Sequence, residues 1–348
     1  MANYKIVDAD KLDKDLTDIA NSIRAKNGTE ETYKSFEMAG AIDAIEAGGA
    51  YEDLWNAVTS NGTRGAYLFY QSTVDEDLLS KVDLSHVTSA ISMFNSATIS
   101  GDINLTLHDA TSCENMFVGA KSNGEINITA LSATTCKSMF ETAIAKRIIV
   151  NAPLATTFQA AFAGGHGGIV EYIEVNAPNA TNLSNFMKDF NAFKDVGPKC
   201  DVILDVPNVT NLSAAFSNCR TVRSIHFASS TDKVTVWGSI GASSLKSLTG
   251  DLQFITGVGS GTFNSLNLVT FTPTVIACDF PITSATKLSL ESAKNIIRAL
   301  VDYSGTEYEY VYTVSLSSTT QALLESDGAT APNGKTWLEY AYDKGWNI

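Results

Sequence analysis

The sequence is poor in charge and in histidine, and it has no long apolar run. Charged residues make up only 18% of the 348, below the roughly 25% of ordinary globular domains. Serine, threonine, asparagine and glycine take their place, which suits a surface of turns rather than long charged helices. No stretch of about 18 uninterrupted apolar residues occurs, so no membrane insertion is expected. Lysine and arginine number 24 against 38 aspartate and glutamate, and the net charge of −14 argues against nucleic acid and anionic lipid as partners. The four histidines, His86, His108, His166 and His226, share no repeat position and show no HExxH or Cys/His spacing. There is no GxSxG elbow. The five cysteines form no CxxC pair, and their odd number argues against a disulfide framework. The opening MANYKIVDADKL lacks the apolar core of a secretion signal. Synthesis in a reducing cytoplasm is therefore expected, with no cofactor, no metal and no enzymatic activity.

What the chain does have is 44% hydrophobic residues, ample for a continuous core, and an internal repeat. The copies read VDLSHVTSAISMF (82–94), LTLHDATSCENMF (105–117), ITALSATTCKSMF (128–140), VNAPLATTFQAAF (150–162), VNAPNATNLSNFM (175–187) and LDVPNVTNLSAAF (204–216). Their final apolar residues, Phe94, Phe117, Phe140, Phe162, Met187 and Phe216, are spaced 23, 23, 22, 25 and 29 apart. Each copy starts with alternating apolar residues, as a strand with one buried face requires. The strand breaks at Pro153, Pro178 or Pro207, since proline cannot donate to a sheet ladder. Apolar residues then sit three and four apart, such as Leu212, Ala215 and Phe216, a spacing expected for an inward helical or 3₁₀ turn. One unit cannot bury its own apolar face, whereas stacked units form a continuous core with Phe on Phe. The fold class is thus a β-rich repeat solenoid over 82–290. Residues 217–290 read as at least two further coils, with strand-like IHF (225–227), VTVW (234–237) and LVTF (268–271).

The ends differ from the middle. Leu12, Leu16, Ile19 and Ile23 make one apolar stripe on a helix, ended by Lys26-Asn27-Gly28. A second helix over 35–46 presents Phe36, Met38 and Ile42. This hairpin, 1–48, reads as an attachment module, followed by a linker and N-terminal cap over 49–81. Residues 291–348 read as an α/β C-terminal cap, with Ser289 near an N-cap, Ile296, Ile297 and Leu300 on one helical face, an alternating strand in YEYVYTVSL, and two helix-like segments. A solenoid needs such a cap over its last coil.

Two resemblances add to this reading. VTSAISMFNSA (87–97) and VTNLSAAFSNC (209–219) resemble the BspA-type leucine-rich repeat, whose phrase is a Val-Thr-x-Met/Leu-x-x-Met-Phe run followed by a small residue or Cys. LTDIANSIRAKNGTEETYKSFEMAGAIDAI (16–45) resembles the N-terminal helical module of tail and baseplate proteins of phages and prophages of gut bacteria. Leu16, Ile19, Ala20, Ile23, Arg24, Lys26, Gly28, Phe36 and Ile42 fit that module, and Met38 falls one place early. The ending SAKNIIRALVDYSG (292–305) with KGW (344–346) is also similar to the end of such proteins. The resemblance implies a virion tail component that docks to other tail proteins by its N-terminus and meets a host-surface glycan or protein with its solenoid. A homo-oligomer, a trimer among the options, belongs to the same implication. Leu12, Leu16, Ile19, Ile23, Phe36, Met38 and Ile42 are the expected assembly residues.

Three groups of side chains have both a functional and a packing reading. Cys113 and Cys136, at one repeat position, should stack in adjacent coils, either as small buried residues or as a soft-metal or disulfide site. Tyr308, Tyr310 and Tyr312 alternate along a strand, as a row for sugar or partner binding or as packing of the cap. GGHGG (164–168) lacks the GK[ST] of a phosphate loop and reads as an inter-coil loop. The alternatives to a tail adhesin are a bacterial surface adhesin of the same repeat, and a tail-borne depolymerase needing a carboxylate pair that meets only in space.

Overall fold

Alternation of apolar and polar residues along each repeat produces a strand, and stacking of repeats brings equivalent residues side by side. In a computed structural model, which describes residues 65–348 except 81, 83, 165–169, 191–198, 241–243, 260, 264–266 and 306–310, eight strands form one sheet. They are β1 (Ile103–Leu107), β2 (Glu125–Ala130), β3 (Arg147–Asn151), β4 (Tyr172–Asn176), β5 (Cys200–Asp205), β6 (Val222–Phe227), β7 (Ser247–Phe254) and β8 (Thr270–Ile276). Their order in the sheet is their order in the chain, and every pairing is parallel. The protein is a parallel β-solenoid. The chain divides into two units, Met1–Gly62 with Ser80–Asp83, and Thr63–Leu79 with Leu84–Ile348; the solenoid and its cap belong to the second. The attachment hairpin expected over 1–48 lies outside the described residues.

Register follows the repeat. Ile103 pairs with Ile126, Ile126 with Ile148, Ile148 with Ile173, and Ile173 with Val202, and all are buried. Two residues on, Leu105, Ile128, Val150, Val175 and Leu204 form a second inward column. β3, β4 and β5 end two residues before Pro153, Pro178 and Pro207, as the missing proline donor requires. Residues 217–290 supply three coils, since β6, β7 and β8 continue the same sheet. A register shift between Leu248 and Leu252 accompanies Pro273, which sits on the last strand, where a proline is tolerated.

The segment after each strand departs from the expected helical or 3₁₀ turn. It is a run of β-turns with left-handed residues at regular places: Ser92 and Ser96, Ser138 and Thr142, Asn185 and Asp189, Ala214 and Asn218, all with φ between 50° and 59°. The apolar spacing of three and four is real, and Leu212, Ala215 and Phe216 do point inward. A helical turn, however, would satisfy its N–H groups within one coil, whereas here they alternate. The N–H groups of Ala90, Ser92, Phe94 and Ser96 donate to Ser112, Glu114, Met116 and Val118 of the next coil at 2.8–3.0 Å. Those of Met93, Asn95 and Ala97 close turns on Ala90, Ser92 and Phe94 at 3.0–3.2 Å. Inter-coil bonding therefore continues through the corner, which leaves no run of buried donors without a partner.

A left-handed residue other than glycine costs roughly 1–2 kcal/mol, and Ala160 (φ 55°) lacks the polar side chain that eases that conformation for Asn or Asp. Ala160→Gly should stabilise the protein by about 0.5–1 kcal/mol after the added freedom of the unfolded chain is subtracted. Urea unfolding measures this, and an unchanged or lower midpoint would contradict the turn geometry.

The Ala/Val-Thr-Ser/Thr/Asn phrase has a structural explanation. The threonine hydroxyl donates to the carbonyl of the equivalent threonine one coil earlier: Thr111 to Thr88 at 3.2 Å, Thr134 to Thr111 at 3.1 Å, Thr156 to Thr134 at 3.2 Å and Thr181 to Thr156 at 3.3 Å. Thr210 and Thr235 continue the series. The following Ser112, Thr157, Asn182 or Asn211 side chain accepts from the backbone N–H two residues on, a local turn-stabilising bond.

Inside the corner runs an aromatic column. Phe69, Phe94, Phe117, Phe140 and Phe162 stack with centroid separations of 4.9–5.2 Å, and the rings from Phe94 to Phe162 lie within 8° of parallel between neighbours. Met187 keeps the register position, with its N–H on Ala215, and is fully buried. Having no ring, it hands the stack to Phe186, which meets Phe162 edge-on at 5.0 Å.

The last coil is closed by three helices, α1 (Leu290–Ala299), α2 (Ser318–Ser326) and α3 (Trp337–Asp343). Ser289 caps α1 as its sequence suggests, and Ile296, Ile297 and Leu300 are buried. The cap covers the edge of β8: Ser292 Oγ accepts from the Phe271 N–H at 2.9 Å, and the Val301 N–H donates to Ile276 at 3.0 Å. An open parallel edge would otherwise recruit another chain. The KGW ending closes the cap itself. Lys344 is almost wholly buried, and its Nζ donates to the carbonyls of Ile297 (3.2 Å), Arg298 (3.0 Å) and Leu300 (2.7 Å). These carbonyls belong to the last turn and the C-cap of α1, where intrahelical donors run out and a cation is favoured. Burial pushes the Lys344 pKa down.

Asp327 ties the three helices together: it accepts from Lys294 Nζ of α1 at 2.8 Å, from Trp337 Nε1 of α3 at 3.0 Å, and from the Thr330 hydroxyl. The Lys294 ammonium foremost, then these donors, hold its pKa down at about 2, below the usual value of about 3.9. The folded cap thus binds fewer protons than the unfolded chain there, so its stability rises with pH across that window. Acidification from about pH 4 towards pH 2 should loosen the cap, read as a change in tryptophan emission, and Asp327→Asn should flatten that dependence. An identical acid profile in both proteins would contradict this role.

Candidate functional site

The same alternation that buries one side of the sheet sets the other side outward in straight rows. Parallel, in-register strands lie about 4.8 Å apart, so each row is a line of side chains at that interval. The first row carries Glu125, Arg147, Tyr172, Asp201 and Ser224. The second carries Asn104, Asn127, Ile149, Glu174, Ile203 and His226. The third carries Thr106, Thr129, Asn151, Asn176 and Asp205. All are exposed or half-buried, and the backbone beneath is held on both sides by ladder bonds.

The first row is charge-compensated within the chain. Arg147 Nε lies 3.2 Å from Glu125, and its guanidinium sits 4.2 Å from the centre of the Tyr172 ring. The Tyr172 hydroxyl donates to Glu174 at 2.6 Å. Partial burial, and then that hydrogen bond, push the Tyr172 pKa up to about 12. Arg223 clamps Asp201 with two nitrogens, and Ser224 donates to the same carboxylate. The Arg223 guanidinium foremost holds the Asp201 pKa below its usual value. Ion pairs this exposed contribute about 0–1 kcal/mol each, so they orient the face more than they stabilise it.

The third row is different. The side chains of Thr129, Asn151, Asn176 and Asp205 make no hydrogen bond among the described residues, although each carries donors, acceptors or both. Nothing in the sequence flagged this face. Its signal was the repeat spacing carried back onto the strand starts, since Arg147 and Tyr172 are one coil apart.

The residues singled out from sequence fall elsewhere. Leu12, Leu16, Ile19, Ile23, Phe36, Met38 and Ile42 lie outside the described residues, as do Tyr308 and Tyr310 and most of GGHGG. Tyr312 packs against Tyr303 (5.3 Å) and Trp346 (5.6 Å) in the cap. Cys113 and Cys136 are buried and free, as are the other three cysteines. The contact with Cys113, together with burial, holds the Cys136 thiol well above its ordinary pKa, so it is the protonated, unreactive form. No cluster of three or more His, Cys, Asp or Glu stands together among the described residues, and no described helix is long and apolar enough to cross a membrane. Comparison with protein-family models, curated proteins and solved structures returned no match.

Proposed function

We propose that this chain is a phage or prophage tail component, a fibre or receptor-binding part, that docks to the particle through its N-terminal segment and adheres to the host surface through its solenoid. The repeats are read as leucine-rich-repeat-like, of the BspA type, on the phrases quoted above. The observation that carries the adhesive reading is the outward sheet face: a rigid, in-register array of polar side chains, several without a hydrogen-bond partner among the described residues. A preorganised face of this kind binds without the cost of ordering itself. Multiple copies on a particle would turn weak contacts into avidity. Attachment by the N-terminus rests on the residues at 16–45 that resemble the tail module.

The test is direct. Purified full-length chain should bind intact cells of a susceptible host, compete with virions for them, and release no reducing sugar from their envelope. Failure to bind at micromolar concentration would end the adhesive reading. Release of oligosaccharide, abolished by one Asp or Glu substitution, would replace it with a depolymerase.

A further inference from the structure

We propose that the third outward row is the binding line for a neutral oligosaccharide, laid across the strands over Thr129, Asn151, Asn176 and Asp205 with Ile149 and Ile203 beside it. This rests on the adhesive reading above and names the ligand class for that face.

Four observations carry it. Thr129, Asn151, Asn176 and Asp205 are direct neighbours on four successive strands, about 4.8 Å apart, close to the length of one pyranose residue in an extended chain. Each offers hydroxyl, amide or carboxylate groups to solvent, and an asparagine amide both donates and accepts, which is what a sugar's paired hydroxyls require. Ile149 and Ile203 lie two residues back on their strands and on the same face. Half-buried, they offer apolar surface to the C–H side of a sugar ring. Lastly, the nearby cations are already occupied, Arg147 by Glu125 and Arg223 by Asp201. Both guanidiniums on this part of the face are thus engaged by carboxylates of the chain itself, while Glu174 and Asp205 would repel an acidic polymer. A protein partner fits less well, because the row lacks the exposed Trp, Tyr or Arg anchors that dominate protein interfaces.

The experiment uses the full-length chain on an immobilised panel of neutral and acidic bacterial oligosaccharides, with host-cell binding in parallel. Wild type should prefer neutral glycans. The double variant Asn151→Ala/Asn176→Ala should bind both glycan and cells at least tenfold more weakly, with an unchanged melting temperature, since neither side chain bonds within the described chain. Should it misfold, Asn176→Gln, which only moves the amide outward, serves instead and should also weaken binding. Cell binding that survives these substitutions, that is abolished by protease treatment of the cells, or that goes with a preference for acidic glycans would overturn the oligosaccharide line and leave adhesion standing. A wild-type chain that binds neither cells nor any glycan overturns both.

Discussion

Replacing Phe140 by alanine is expected to cost about 3–5 kcal/mol, the usual penalty for truncating a core phenylalanine. The ring is 2% exposed and is held between Phe117 at 5.0 Å and Phe162 at 5.2 Å, almost parallel to both. The backbone around the resulting cavity cannot collapse into it. The N–H groups of Phe140 and Thr142 are bonded to the next coil at 2.7 and 2.9 Å, and moving one coil inward would break ladders on both sides. Because each coil touches only its neighbours, a solenoid's stability is close to a sum of nearest-neighbour terms. The variant should therefore also lose cooperativity, with the coils on either side of Phe140 unfolding in separate steps. Denaturant unfolding followed by two probes measures both effects. A loss below about 1 kcal/mol would mean the aromatic column does not support the fold.

Truncating Trp346 to alanine should cost a similar amount, about 3–5 kcal/mol, for a different reason. Trp346 is 1% exposed, packs beside Tyr303 and Tyr312, and donates from Nε1 to the Val301 carbonyl at 2.7 Å. Its neighbour Asn347 exchanges backbone bonds with Tyr312 and Val314 at 2.9 Å. Loss of the indole frees the end of the chain, and with it the Lys344 ammonium that satisfies the end of α1. Opening of the cap uncovers the edge of β8, so Trp346→Ala should form larger assemblies through that edge than the wild type does. Amide exchange should report faster opening in Phe271–Ile276 while β1–β5 stay protected. Uniform loss of protection along the whole sheet would show that the cap and coils form one cooperative unit instead.

Much of this was legible in the residues, for an identifiable reason. A parallel, in-register stack converts periodicity in sequence directly into columns in space, so Phe94, Phe117, Phe140, Phe162 and Phe216 could be placed on one buried line from their spacing. Met187 belongs to that line by register, but its lack of a ring shifts the stack to Phe186, which spacing alone does not show. Ser289 was readable as a cap, since that signal lies within four residues. The corner was misread for a physical reason. Spacings of three and four arise from a helical turn and from consecutive β-turns alike, and only backbone angles such as those of Ser92 and Ser96 separate them.

The strand pattern, the proline stops, the Thr-Ser/Thr/Asn phrase and the repeat length determined that the chain winds into a solenoid, because each is a local preference repeated until its apolar faces must stack. Tertiary structure alone decided the rest. Arg147 and Tyr172 come from different coils, and Lys344 reaches carbonyls 44–47 residues away. The row from Thr129 to Asp205 is defined by side chains that make no hydrogen bond among the described residues. Pairings and vacancies of that kind depend on distances between coils, which the order of residues along one coil does not contain.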